Sequence, residues 1–402
     1  GYGEHTRFVL RSLRAYPDLF DVYFINLNWG NTGWVLENSE ERDWIDSLIR
    51  KTIAYGNSGG QFDVSVQVAI PNEFQKLAPY NIGITAGTET TKLSPEWVKG
   101  CYVVDKIITI SEHAKYAFEN TKYPAINESN GQNFIAECPH KLDVVGYPVK
   151  KIEAKKINLK FKYPFNYLFV GTYIPRKNIQ NTVKWFIEQF HDEEVGLVLK
   201  TTHGKNSLLD RKKTEDALSI ITRNFPNKKC SIELLHGELS ESEMTYLYNH
   251  KSIKGMISLS HGEGFGLPMF EAAYNGLPII CPDWGGQVDY LYVPNKKNGK
   301  KKAMFSKVSY DVHNIQKEAV WNGVLQKDSQ WCFPVEWHFK KTIRDFKKNY
   351  TARKSDARKL KKYLEENFSQ EKQYEKMVNA ISPNISNMNK TIDEMFLELE
   401  QG

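Results

Sequence analysis

Short apolar runs and amphipathic stretches alternate along this 402-residue chain in two successive series, and that alternation constrains the fold more than any other feature. In the first series, residues 4–15 and 40–55 carry helical spacing, while DVYFINL (21–27), VSVQVAI (64–70), NIGITAG (81–87), DKIITIS (105–111) and LDVVGYPV (142–149) read as strands. EWVKGCYVV reads as a helix, and so does SEHAKYAFEN, with Ser111 as its N-cap. The polar stretch 121–141, with its Pro, Gly and Asn, reads as a loop. A lysine-rich segment around 150–165, KKIEAKKINLKFKYP, interrupts the pattern and is the expected linker. The alternation then restarts with NYLFVGT (166–172), VGLVLKT (195–201), CSIELLH (230–236), IKGMISLS (253–260) and LPIICPD (277–283) as strands. Between them, RKNIQNTVKWFIEQF sets Ile179, Val183, Phe186, Ile187 and Phe190 on one helical face. Residues 208–224 are helical, and SESEMTYLYNH opens on a capping box of Ser240 and Glu243. Helices near 334–350 and 352–380 close the chain. Two such series predict two parallel sheets covered by helices. Ligands in folds of this class bind beyond the C-terminal strand ends and between domains.

Composition narrows the function classes. The chain is long enough for two cores, and 41% apolar with 25% charged residues is the balance of a folded globular protein. The five cysteines are scattered and form no CxxC, which argues against a disulfide scaffold and a structural zinc site. No apolar run reaches the length of a membrane span and no signal peptide is recognised, so a cytoplasmic setting is the default expectation. A net charge of +6 suits an anionic ligand, and it leaves peripheral contact with an acidic membrane open. The basic run KKNGKKK (296–302) is expected to be a solvated loop, with no nucleic acid bound. The chain opens on Gly-Tyr-Gly-Glu-His with no strand before it, as a fragment or a processed product would.

The chemistry concentrates in GEGFGLPMFE (262–271). Pro268 suits a first helical turn and Gly276 the end of that helix. Gly264, Phe265, Gly266 and Leu267 then form a tight strand-to-helix turn whose free N–H groups cradle an anion or a hydroxyl. Glu263 on the turn and Glu271 on the helix put two carboxylates on one rim, where they can accept hydrogen bonds from vicinal diols such as those of ribose or a hexose. A capped helix with surface glutamates is the plain alternative. GTYIPRKN (171–178) also ends a strand and opens a helix, and Arg176 and Lys177 there favour a diphosphate. Lys200, at the end of its strand, either joins them or snorkels at the sheet edge. Together these groups describe a site for a nucleoside-diphosphate-sugar.

GEGFGLPMFE resembles the E-x7-E motif of the family 4 (group 1) retaining glycosyltransferases of the GT-B fold. GTYIPRKN is similar to their donor-phosphate motif, and ARKSDARKLKKYLEENFSQEKQYEKM to their C-terminal helical tail. The resemblance runs over essentially the whole chain. It implies an α/β architecture of two Rossmann-like domains, 1–150 on the acceptor side and 151–334 on the nucleotide-sugar side. A cleft separates them, and helices in 335–402 cross back onto the first domain. It further implies that Glu271 holds the ribose, and that Glu263 with the N–H groups of Gly264, Phe265 and Gly266 holds the donor sugar. Lys177 with Arg176 would hold the diphosphate. Gly237 to Leu239 match the family's base contact, and Gly1-Tyr-Gly3 its glycine loop, with Gly3 approaching the donor phosphate. Thr172 stands where family members often carry Arg, which leaves the phosphate site one cation short. NIGITAGTETTKLSPEW resembles an E-T-T-x-x-x-P-x-W segment found in a subset of these enzymes. That places Thr85 and Glu89 on the cleft, with Glu89 the acceptor-side candidate. His113 and His5 are candidates to approach phosphate or acceptor, although a lone histidine is more often structural. The implied activity is hexosyl transfer with retention to a hydroxyl of a glycan, lipid or small molecule, without metal or other cofactor. A catalytically silent binding protein of the same fold and a sugar-nucleotide epimerase are the alternatives.

Overall fold

The computed structural model describes residues 1–27, 39–127, 129–295 and 298–382. The first series forms α1 (Tyr2–Arg14), α2 (Glu40–Asn57), β1 (Val64–Val68), β2 (Tyr80–Thr85), α3 (Pro95–Cys101), β3 (Lys106–Thr109), α4 (Glu112–Asn120), β4 (Lys122–Ile126), β5 (Asn133–Glu137) and β6 (Asp143–Val144). Strands β1, β2, β3 and β6 make one parallel sheet in that order, with Val66 beside Ile82 and Ile84 beside Ile108. Ser94 and Ser111 cap α3 and α4, each accepting a backbone N–H at 3.1 Å.

Two expectations fail in this half. Residues 21–27 form no strand: the Phe24 N–H goes to the Thr52 hydroxyl at 2.7 Å instead of a ladder, and Ile25 and Leu27 lie exposed. The expected loop 121–141 contains the antiparallel hairpin β4–β5, closed where the Gly131 N–H bonds the Asn127 carbonyl at 2.8 Å. Its polar residues crowd the turn and mask the short strands flanking it.

Residues 150–165 hold no helix or strand, as expected for the linker. The second series then forms β7 (Asn166–Val170), α5 (Ile179–Phe190), β8 (Gly196–Lys200), α6 (Leu208–Thr222), β9 (Ser231–Leu235), α7 (Glu241–Tyr248), β10 (Ile253–Ile257), α8 (Leu267–Tyr274) and β11 (Ile279–Pro282). After the short α9 (Val288–Leu291) come β12 (Tyr292–Pro294), β13 (Lys301–Ala303), β14 (Ser306–Val308), β15 (Tyr310–Asn314) and β16 (Gln330–Pro334). The basic run therefore ends in a strand, β13, paired with β12. Strand order in the parallel sheet is β9-β8-β7-β10-β11-β14. This is the doubly wound order 3-2-1-4-5-6, whose direction reverses between β7 and β10. The crevice beyond those two strand ends is the place such sheets bind ligands. All five apolar residues expected on one face of α5 are buried, against Tyr167, Phe169 and Phe346.

The chain closes with α10 (Glu336–Lys348), α11 (Tyr350–Asn367) and α12 (Gln370–Ile381), so the second expected helix is two, broken at Phe368–Ser369. They return to the first half: Tyr374 of α12 stacks on Phe8 of α1 at 6.0 Å, and the Phe368 carbonyl accepts the Val149 N–H at 2.7 Å.

Candidate active site

The loops after β7 and β10 meet at the point where strand order reverses. After β7, Pro175 starts a single 3₁₀ turn, and Asn178 in the left-handed region (φ 52°) redirects the chain into α5. That turn sends Arg176 and Lys177 toward the loop after β10. The His261 N–H bonds the Arg176 carbonyl at 2.8 Å, and Arg176 Nη1 donates to the Gly262 carbonyl at 2.6 Å.

Glu263 completes the cluster. Lys177 Nζ lies 2.5 Å from its Oε1 and Arg176 Nη1 3.2 Å from its Oε2. Burial alone would raise the Glu263 pKa, but the two cations outweigh it and hold the carboxyl at about 2. Arg176 also reaches across the cleft, with Nη2 3.2 Å from Oε1 of Glu89. Burial disfavours its charge too, yet Glu89 and Glu263 together push its pKa up. Four of the expected residues thus converge: Glu89, Arg176, Lys177 and Glu263.

The glycines of the motif do two jobs. Gly266, at φ 81°, takes the left-handed turn into α8, where Pro268 occupies the first turn. Gly262 allows close approach between the halves: a Cβ there would collide with the Glu89 carbonyl. One on Gly264 would come within 2.7 Å of the Ala86 carbonyl. The cleft is therefore shut over the turn. Phe265 wedges its ring against Tyr147 of the first half, 5.1 Å away, and against Phe270 and Tyr290. Its expected contribution is thus confined to its backbone N–H, and Leu267 follows as the first residue of α8.

Glu271 lies on α8 in different surroundings. Its Oε2 accepts the Tyr248 hydroxyl at 2.9 Å. Burial pushes its pKa up to about 7, against partial opposition from Tyr248 and Lys150. Lys150 is already committed at 2.5 Å to both Glu4 and Glu241. Tyr248, Lys150 and Glu4 were not singled out from the sequence. Only Glu4, in the His-containing opening, lay near a motif, and nothing in SESEMTYLYNH marks Tyr248 as a partner of a residue 23 positions later.

The other expected residues divide. Lys200 Nζ reaches the Gly237 carbonyl, bridging the ends of β8 and β9, and burial lowers its pKa. Leu239 packs partly buried beyond that turn, and Thr172 lies two residues past the end of β7. His113 packs edge-on against Trp284 at 4.6 Å, with its Nε2 buried and without a hydrogen-bond partner among the described residues; burial lowers its pKa to about 4, against partial opposition from the Glu89 backbone. Thr85 differs from expectation. It is fully buried and its hydroxyl pairs with that of Tyr2 at 2.9 Å, so it does not line the cleft. Gly3 differs too: it sits in the first turn of α1, not in a loop. His5 is fully buried between Phe8 and Tyr147, and burial holds it neutral at a pKa of about 3. Among the described residues, no group of three or more His, Cys, Asp or Glu side chains is placed to hold a metal ion. No described helix is long and apolar enough to cross a membrane.

Comparison with solved structures agrees with this architecture. The chain has the GT-B fold. Sucrose-phosphate synthase from Thermosynechococcus elongatus is 13% identical, with 92% of this chain and 87% of that one covered, at a TM-score of 0.51. HepE from Anabaena, in complex with UDP and glucose, is 12% identical over 86% of this chain and 83% of its own, at 0.49. A TarM variant from S. aureus, in complex with fondaparinux, alpha-GlcNAc-glycerol and UDP, is 13% identical over 76% of this chain, at 0.47. The chain spans about half of TarM's length, 51%. No protein-family model matches the sequence, and no curated protein matches it.

Proposed function

We propose that this chain is a retaining glycosyltransferase that moves a hexose from a nucleoside-diphosphate-sugar to an acceptor hydroxyl. The observation that carries the reading is the convergence of Arg176, Lys177, Glu263 and Glu89 at the β7/β10 reversal, with Glu271 on the helix that the same turn begins. Two cations at one point are what a departing diphosphate needs, and fixed charge aimed at a leaving group supplies much of the rate acceleration in many transfer reactions. In this reading Lys177 and Arg176 hold the diphosphate. Glu263 and the turn N–H groups hold the sugar hydroxyls, and Glu271 accepts the ribose diol. The bond from the anomeric carbon to the diphosphate oxygen breaks, and the acceptor oxygen bonds to the same face. The acceptor proton leaves on the diphosphate. Donor entry requires the Arg176–Glu89 contact to part, because Glu263 and Glu89 occupy the cations in the closed form.

A thermal-shift panel of nucleoside-diphosphate-sugars, with bare nucleotides as controls, tests the proposal. A donor at 100 times its Kd should add about 2.7 kcal/mol. Stabilisation by a single base series is expected, weakened far more by Glu271→Ala than by Glu89→Ala, and followed by turnover with the best donor. Indifference to every donor would overturn it, and equal donor affinity of wild type and Glu271→Ala would remove Glu271 from the ribose.

A further inference from the structure

Outside the cleft, a groove of about 270 Å³ opens between the edge strand β14 and the corner where α10 meets α11. Two buried polar atoms beside it have no partner among the described residues. Ser306, on β14, is 6% exposed and its hydroxyl bonds nothing; the Nε of Arg353, on α11, is likewise buried and unpaired. An unmet buried donor costs free energy that a ligand can recover. Arg353 is also the available cation. The Lys307 ammonium is spent on Asp283 at 2.7 Å, and Asp356 pairs with Lys302 and Lys359. The α10 side carries the Asp345 carboxylate and Thr342, whose hydroxyl is shared between the Lys307 carbonyl and His338 Nδ1, each at 3.3 Å, and keeps acceptor capacity. One wall therefore suits an anionic head, and the other suits hydroxyls while repelling a second anion.

We propose that this groove binds a small phosphorylated polyol of the sugar-phosphate class. Arg353 and Ser306 take the phosphoryl group, and Asp345 and Thr342 accept its hydroxyls. The volume is just under the roughly 300–1,000 Å³ usual for small-molecule sites, which limits the ligand to a single sugar unit. The site lies apart from Glu263 and Glu271 and does not depend on the transferase reading.

The test titrates the full chain with glucose 6-phosphate, inorganic phosphate and glucose, read by thermal shift and calorimetry. Glucose 6-phosphate should bind saturably, inorganic phosphate about tenfold more weakly, and glucose not at all. Arg353→Gln should weaken glucose 6-phosphate by about tenfold or more. Glu271→Gln, in the cleft, should leave that binding in place. Asp345→Asn keeps the cation and should weaken glucose 6-phosphate but not inorganic phosphate, which keeps the proposal testable if Arg353→Gln does not fold. Equal binding of phosphate and glucose 6-phosphate would overturn the polyol half. No binding of either, binding that survives Arg353→Gln, or binding lost in Glu271→Gln would overturn the site.

Discussion

Glu263 and Glu271 lie eight positions apart in one motif, and their surroundings drive them to opposite charge states. Lys177 and Arg176 hold Glu263 ionised, at a pKa of about 2. Among the described residues no cation comes within contact distance of Glu271; burial brings it to about 7, and its carboxylate accepts the Tyr248 hydroxyl. The difference separates two jobs within one glycine-rich turn. A carboxylate locked to cations organises a charged site before any ligand arrives. A carboxyl poised near neutrality takes the charge its ligand calls for, and a diol that donates two hydrogen bonds favours the ionised form.

The strongest way to break this contrast is to remove the cation. Lys177→Met leaves Glu263 buried beside Arg176 alone, and the loss expected from urea denaturation is about 3–5 kcal/mol. The Glu263 pKa is depressed, so its contribution is complete above the unfolded value of 4.5 and fades as pH falls toward 2. In the variant that acid limb should move to higher pH. A loss within experimental error would mean that Arg176 alone sustains the charge.

Glu271 should behave in the opposite sense. Its pKa is raised from 4.5, so the protein loses stability as pH climbs from there through about 7. The size is up to about 3 kcal/mol. Glu271→Gln should flatten that part of the profile and be the more stable protein at pH 8. Donor affinity should rise between pH 6 and 8 in the wild type and stay level in the variant. A wild-type profile unchanged over this window would place Glu271 among ordinary carboxylates.

The smallest effect belongs to the bridge between the halves. Side-chain exposures of 18% for Arg176 and 27% for Glu89 make this a half-open pair. Glu89→Gln should cost no more than about 1 kcal/mol. Its sharper readout is shape: small-angle scattering should show a larger radius of gyration if this pair holds the cleft closed. An unchanged radius would assign closure to the Phe265–Tyr147 contact and the glycine approach instead.

Much of this was legible in the residues. Parallel strands read correctly because buried runs such as GLVLK and IIT are nearly continuous in apolar residues. The N-cap Ser111 and the capping box of Ser240 and Glu243 declared the starts of α4 and α7. DVYFINL misled because its alternation matches a strand, while its backbone had another partner in Thr52. The hairpin β4–β5 was hidden by Pro124 and the Asn-rich turn, features that are tolerated where a ribbon pairs only with itself. Thr85 was misplaced for a different reason. A strand's period tells which residues share a face, but not that a phenol from α1 would cover that face.

By itself the sequence determined the order of the parallel strands and of most helices between them, the glycine turn, the cations after β7 and the presence of two carboxylates. These depend on local spacing and backbone freedom, which neighbours along the chain set. Tertiary structure alone decided which carboxylate is charged, where Glu89 lands and why Gly262 must lack a side chain. A pKa and a close approach are set by what stands nearby in space, and here that means Lys177, 86 positions before Glu263, and Tyr248, 23 before Glu271.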